Sequence, residues 1–146
     1  RAAVVPQVVI VPGNGCEDVR GSNWYAWLER RLLAAGVETV GLSVMPDPYY
    51  ARKDIWLPFI TDTLAGGQGN LHNTVVVGHS SGAAAAMRLA EQFQLKGIVL
   101  VSAYVSDMGY ESERVSGYFS EPWQWDAQRR NCEWIVQFAS TDDPFL

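Results

Sequence analysis

Histidine and cysteine are scarce in this chain, with 2 of each in 146 residues. Cys16 and Cys132 are far apart and fit no metal-binding spacing, so free thiols are expected rather than a disulfide framework. His72 and His79 form no cluster with cysteine or paired carboxylates, and neither a metal nor another cofactor is expected. Positive charge is also thin: 11 Lys and Arg against 16 Asp and Glu leave a net charge of −5, and no basic run exceeds the pair Arg129-Arg130. Such a chain is a poor partner for nucleic acid or an anionic membrane. Its longest apolar runs fall short of the roughly 20 residues a membrane span needs, and the stretch Arg1 to Pro6 is too short for a signal peptide. A soluble, cytoplasmic protein is the expectation. The chain contains no internal repeat and no low-complexity linker. Its 48% hydrophobic and 18% charged residues suit one globular domain over residues 1–146.

What is present alternates. Val8-Val9-Ile10-Val11 is a β-branched run closed by Pro12-Gly13, the pattern of a strand buried on both faces of a parallel sheet. A helix is predicted from about Ser22, capped by Ser22 or Asn23, with Trp24, Trp27, Leu28 and Leu32 on one face until Gly36. Val37 to Val44 reads as a second strand. Tyr50 to Leu64 reads as a helix that Pro58 bends or delays. Gly66 to Asn70 is expected to be a flexible surface loop. Thr74 to Val77 is the third strand and Ser81 to about Gln94 the helix behind it. Gly97 to Ser102 is the fourth strand, and from Ala103 to Trp125 periodicity gives way to an excursion that could cover a site. A short helix near Asp126 to Arg130 then leads into a fifth strand, Trp134 to Phe138. The order predicts an α/β fold: an open, mostly parallel sheet with helices on both faces, a Rossmann-like three-layer sandwich with right-handed crossovers.

The most informative motif is Gly78-His79-Ser80-Ser81-Gly82, placed between the β-branched strand and the alanine-rich helix. It reads as a nucleophile elbow in which the glycines permit a turn tight enough to strain Ser80 and expose its hydroxyl. Ligands of open α/β sheets bind at the carboxyl ends of the strands. Three polar segments fall there: Pro12 to Gly15, Ser80 itself, and Ser140 to Pro144. Acyl transfer by serine needs a base, an anion to orient the base, and N–H donors for the oxyanion. The Ser81 amide is one natural donor, and the backbone around Asn14 in the glycine-rich loop is the expected second. That loop lacks both the G-x-G-x-x-G pattern and the Walker lysine, which argues against a phosphate cradle. Asp142 and Asp143 compete for the acid. A histidine should follow the acid in chain order, and none does. His72 is expected at the far edge of the sheet, and the His79 side chain is expected to point away from the Ser80 hydroxyl.

Taken with Met45-Pro46-Asp47-Pro48, Ile55-Trp56-Leu57-Pro58-Phe59, Val99 to Tyr104, Ser116 to Phe119, Pro122-Trp123-Gln124-Trp125 and Ser140 to Phe145, these motifs span nearly the whole chain. The chain resembles the retinoblastoma-binding protein 9 family of small α/β-hydrolase-fold serine hydrolases. The resemblance implies Ser80 as nucleophile and Asp143 as triad acid, with small ester, amide or amino-acyl substrates and an acyl-enzyme intermediate. It also implies a triad histidine beyond the acid loop, within a further helix, strand and helix of roughly 40 residues. The expectation is therefore a fold truncated after the acid loop, cut at both ends and inactive as it stands, with its last sheet edge uncovered. The retinoblastoma-type partner is not carried over, because Leu64-Ala65-Gly66-Gly67-Gln68 lacks the cysteine and glutamate of Leu-x-Cys-x-Glu. Tyr118, Phe119, Trp123 and Trp125 are read either as packing or as an apolar pocket wall above Ser80. The alternative from another class is a non-catalytic interaction module that docks through this aromatic surface.

Overall fold

Strands with no polar face are stable only when covered on both sides, and the three central runs of this chain are of that kind. In the computed structural model, which describes residues 4–145, the strands are β1 (Gln7–Val11), β2 (Val40–Gly41), β3 (Thr74–His79), β4 (Leu95–Val101) and β5 (Cys132–Phe138). Arg1 and Leu146, where the sequence begins and ends, lie outside the described residues. The order across the sheet is β2-β1-β3-β4-β5, and every pairing is parallel. Between β1 and β3 the winding reverses, which opens a crevice at the carboxyl ends of those two strands.

Successive side chains of a strand point to opposite faces, so each central strand feeds two cores. Val9, Val11, Val76, Ile98 and Leu100 face one core, which also takes Trp56 and Leu57 of α2 (Lys53–Phe59) and Ala83 to Met87 with Leu89 of α3 (Ser81–Gln92). Val8, Ile10, Val75 and Val77 face the other, where α1 (Tyr25–Ala34) contributes Tyr25, Leu28 and Leu32. The remaining helices are α4 (Glu111–Ser116) and α5 (Trp125–Asn131), the latter packed on α3. This is the expected α/β architecture, with helices on both faces of a parallel sheet. None of the helices among the described residues is long and apolar enough to cross a membrane.

Several local expectations are corrected. The second strand shrinks to Val40–Gly41, because as an edge it pairs with β1 alone and leaves the sheet beside the Leu64 carbonyl, with Met45 entering the opposite core. Helix α1 starts at Tyr25 rather than at a Ser22 or Asn23 cap: Trp24 precedes it without a side-chain cap, and Asn23 has a left-handed φ of 49°. Tyr25 thereby becomes the buried residue of the helix, whereas Trp27 points outward and is 56% exposed. The segment expected as a flexible loop closes into a 3-10 helix, Gln68–Asn73, which buries Leu71 and is held by the Asn70 side chain on the Ala65 carbonyl. Pro58 does disturb its helix, which continues after Phe59 as a π turn over Ile60–Leu64. On β5, Trp134, Ile135, Val136 and Phe138 are all exposed, so this edge strand presents apolar side chains on both faces.

Candidate active site

The turn from β3 to α3 is as tight as the glycines suggest. A Cβ on Gly78 would come within 2.7 Å of the Ala83 nitrogen, and one on Gly82 within 2.7 Å of the Pro12 carbonyl oxygen. Between them Ser80 has φ 57° and ψ −116°, a backbone that side-chain-bearing residues rarely adopt and that costs about 1–3 kcal/mol to hold. The strain points the Ser80 side chain into a cleft of about 550 Å³, which Asn14, His79, Tyr104, Glu113, Asp142 and Asp143 also line. The Ser81 amide, first in α3, has no intrahelical acceptor.

The loop after β1 is tied on both sides of Asn14. Gly13 N–H donates to the buried Tyr25 hydroxyl at 3.0 Å, and Gly15 N–H donates to the Pro48 carbonyl at 2.6 Å. Among the described residues the Asn14 amide between them has no protein acceptor. The Asn14 side chain reaches Glu113 Oε1 at 3.2 Å. Beyond β5, Asp142 is exposed and bonded to the Ser140 hydroxyl, whereas Asp143 is half-buried and its Oδ1 accepts the Phe145 N–H at 2.9 Å.

The two histidines separate. His72 sits in the 3-10 helix at the amino end of β3, away from the cleft. His79 lines the cleft, but its ring lies toward α1, 5.5 Å from the Trp24 ring, and its Nδ1 is 2.7 Å from the Tyr25 hydroxyl. Burial pushes the His79 pKa below its ordinary value, and the charge of Asp143 opposes that shift. The ring is thus a neighbour of Ser80 that is already bonded elsewhere.

The aromatic segment does not line the cleft. Tyr118 is fully buried in the core, and Phe119 packs between Tyr104 and Trp123 at 5.4 and 6.1 Å. Trp123 stacks on Trp125 and lies under the Arg88 guanidinium at 3.8 Å, with its Nε1 donating to the Val105 carbonyl. Their contacts are those of packing. Arg88, only 3% exposed, fixes the segment by donating to the carbonyls of Tyr118, Glu121 and Pro122 while pairing with Glu91.

Sequence reasoning did not single out Tyr25, Tyr104 or Glu113. Tyr104 follows β4 at the carboxyl end of the sheet, and that position could have flagged it. Its hydroxyl donates to Glu113 Oε2 at 2.7 Å and lies 3.0 Å from the Ser81 hydroxyl. Burial raises its pKa far enough that the phenol stays protonated, while its bond to Ser81 works against the shift. Glu113 gave no signal, since it belongs to the short helix α4 inside a stretch without periodicity. Burial likewise raises its pKa, and the bonds from Tyr104 and Asn14 lower it. Among the described residues no group of three or more His, Cys, Asp or Glu is placed to hold a metal ion.

Comparison with known proteins identifies the family and the fold. A serine hydrolase from Rattus norvegicus, RBBP9, is 51% identical over 141 residues, which is 96% of this chain and 73% of that protein. The putative hydrolase YdeN of Bacillus subtilis is 39% identical over 107 residues, covering 70% of this chain and 53% of its own length. The crystal structure of the ydeN gene product from B. subtilis superposes with a TM-score of 0.77 at 30% identity, over 94% of this chain and 73% of that one. A cutinase-like protein from Cryptococcus sp. shares the fold, with a TM-score of 0.55 at 17% identity over 90% of this chain and 75% of its own. The profile of the alpha/beta hydrolase family matches residues 8–144. By that match, and by the identity to RBBP9 along almost its whole length, the chain belongs to the alpha/beta hydrolase family and is one of its RBBP9-like members.

Proposed function

We propose that the protein is a cytoplasmic serine hydrolase of small ester, amide or amino-acyl substrates, working through an acyl-enzyme on Ser80. The observation that carries this reading is the strained Ser80 side chain at the mouth of a cleft shared with Asn14 and Asp143. The Ser80 oxygen attacks the substrate carbonyl carbon, and its proton passes through a base to the leaving alcohol or amine as that bond breaks. Water then attacks the acyl-Ser80 ester, releasing the acid and restoring the hydroxyl. The backbone amides of Asn14 and Ser81 receive the oxyanion of each tetrahedral intermediate. Asp143, half-buried beside the cleft, orients the base, while Asp142 shapes its turn with Ser140.

The base itself is neither of the histidines of residues 1–146. His72 is at the wrong end of the sheet, and His79 Nδ1 is bonded to Tyr25. On this reading residues 1–146 alone turn over about a millionfold more slowly than a complete triad. A fluorophosphonate probe tests the nucleophile: the full-length gene product should be labelled and its Ser80→Ala variant should not. Equal labelling of the two ends the hydrolase reading.

A further inference from the structure

Asn14 and Ser81 belong to different turns, one after β1 and one after β3, yet their side chains are linked through one group, directly for Asn14 and through Tyr104 for Ser81. Glu113, on α4, is 8% exposed. Its Oε1 accepts from Asn14 Nδ2 at 3.2 Å and its Oε2 accepts from the Tyr104 hydroxyl at 2.7 Å. A phenol has a single proton, and Tyr104 gives it to the carboxylate, so across the 3.0 Å contact the Ser81 hydroxyl donates to the Tyr104 oxygen. The direction of every bond in the chain Asn14, Glu113, Tyr104, Ser81 is then fixed. All four residues come from segments at the carboxyl end of the sheet, and Asn14, Tyr104 and Glu113 line the same cleft as Ser80.

We infer that Glu113 is a positioning residue that holds both oxyanion amides in register, acting on Asn14 directly and on Ser81 through Tyr104. The inference rests on the hydrolase reading above. A buried carboxylate is a costly choice for a purely structural link, because desolvation disfavours its charged form and Asp107 adds repulsion. A neutral glutamine of the same shape would be a milder tie between a loop and a helix. What the carboxylate provides, and an amide cannot, is two acceptor oxygens for two donors approaching from different elements. Such a group fixes the Asn14 loop and the start of α3 relative to each other without touching the substrate.

The test is steady-state hydrolysis of p-nitrophenyl acetate by the full-length gene product, with thermal melting of each variant alongside. Glu113→Gln keeps one of the two bonds, and Tyr104→Phe cuts the chain at its middle. Each should lower kcat about tenfold, a fraction of the loss caused by deleting an oxyanion donor, with KM nearly unchanged; Glu113→Gln should melt no lower than the parent, whereas Tyr104→Phe, which strands the Glu113 acceptor and the Ser81 donor, should melt lower. Because the two act in series, the double variant should lose no more than the worse single. A trifluoromethyl ketone, whose adduct places an anion in the oxyanion site, should bind each variant more weakly by the same factor. Parental kcat in either variant, fully additive losses, or a drop in kcat of Glu113→Gln matched by a drop in its Tm would overturn the role. If Ser80→Ala hydrolyses the ester as fast as the parent, the hydrolase reading fails and the role of Glu113 fails with it. If hydrolysis depends on Ser80 but not on Glu113, only the positioning role falls.

Discussion

The Tyr25 hydroxyl lies 2.7 Å from His79 Nδ1 and 3.0 Å from the Gly13 nitrogen, joining α1 to both turns that frame the cleft. Gly13 N–H and, at 3.5 Å, the Asn23 side-chain amide both donate to the phenol oxygen and occupy its acceptor positions, so the phenol proton is directed to His79 Nδ1, and the proton of the neutral imidazole resides on Nε2. Tyr25 is 1% exposed, and its own pKa is raised chiefly by burial. Tyr25→Phe keeps the ring and removes the oxygen, leaving the Gly13 donor and the His79 acceptor unpartnered. It should cost about 2 kcal/mol in urea unfolding. A loss under about 0.5 kcal/mol would mean that water replaces the phenol at no cost.

The same histidine predicts a pH dependence. Burial holds His79 below its ordinary value of 6.5, so the folded chain binds this proton less readily than the unfolded one. Its contribution to stability is therefore fully present above 6.5 and is lost as pH falls from there toward the folded value. Glu113, raised above its ordinary value, works in the opposite sense in the carboxylate range and is common to both proteins compared. Urea unfolding at pH 7.5 and pH 5 should show a smaller acid loss for His79→Gln than for the parent. Parallel losses would place the acid sensitivity elsewhere.

The nucleophile should be a point of stored strain. Ser80 has φ 57° and ψ −116°, and Gly13 lies so close that a Cβ there would be 3.3 Å from the Ser80 Cβ. Glycine adopts such a backbone freely, although it gives the unfolded chain more freedom. Ser80→Gly should therefore raise unfolding stability by about 1 kcal/mol while abolishing fluorophosphonate labelling. A destabilised Ser80→Gly variant would show that the elbow is relaxed and that its geometry has another origin.

How much of this was legible depended on whether the signal was local. Val8 to Val11, Thr74 to Val77 and the glycines around Ser80 carry their structure in consecutive residues, because burial on both faces and a tight turn each leave a compositional trace. Residues whose role depends on a meeting between segments left none. Asn14 and Glu113 are 99 positions apart, and Tyr25 and His79 are 54 apart. The aromatic residues from Tyr118 to Trp125 suggested a pocket wall by composition, but the buried Arg88 draws that segment onto α3 instead. Trp27 was misplaced for a related reason, since a start at Tyr25 rather than at Ser22 or Asn23 goes with a different buried face of α1.

Arg88 gives the final prediction. Its guanidinium is nearly free of solvent, donates to three main-chain carbonyls between Tyr118 and Pro122, pairs with Glu91, and stacks on Trp123. A lysine keeps the charge but offers one point of donation in place of a planar fork, so it can neither span those carbonyls nor stack in the same way. Arg88→Lys should destabilise the protein by about 2 kcal/mol, on the order of one hydrogen bond from a charged group left unmade. Because this clamp fixes the chain just after α4, the loosened segment should also become the first site of cleavage in limited proteolysis. Glu113 and its bonds to Asn14 and Tyr104 would then be disturbed, so kcat should fall as well under conditions in which the variant is still folded. Undiminished stability with a protease-resistant 117–123 segment would show that the aromatic packing of Phe119, Trp123 and Trp125 holds the excursion without the guanidinium.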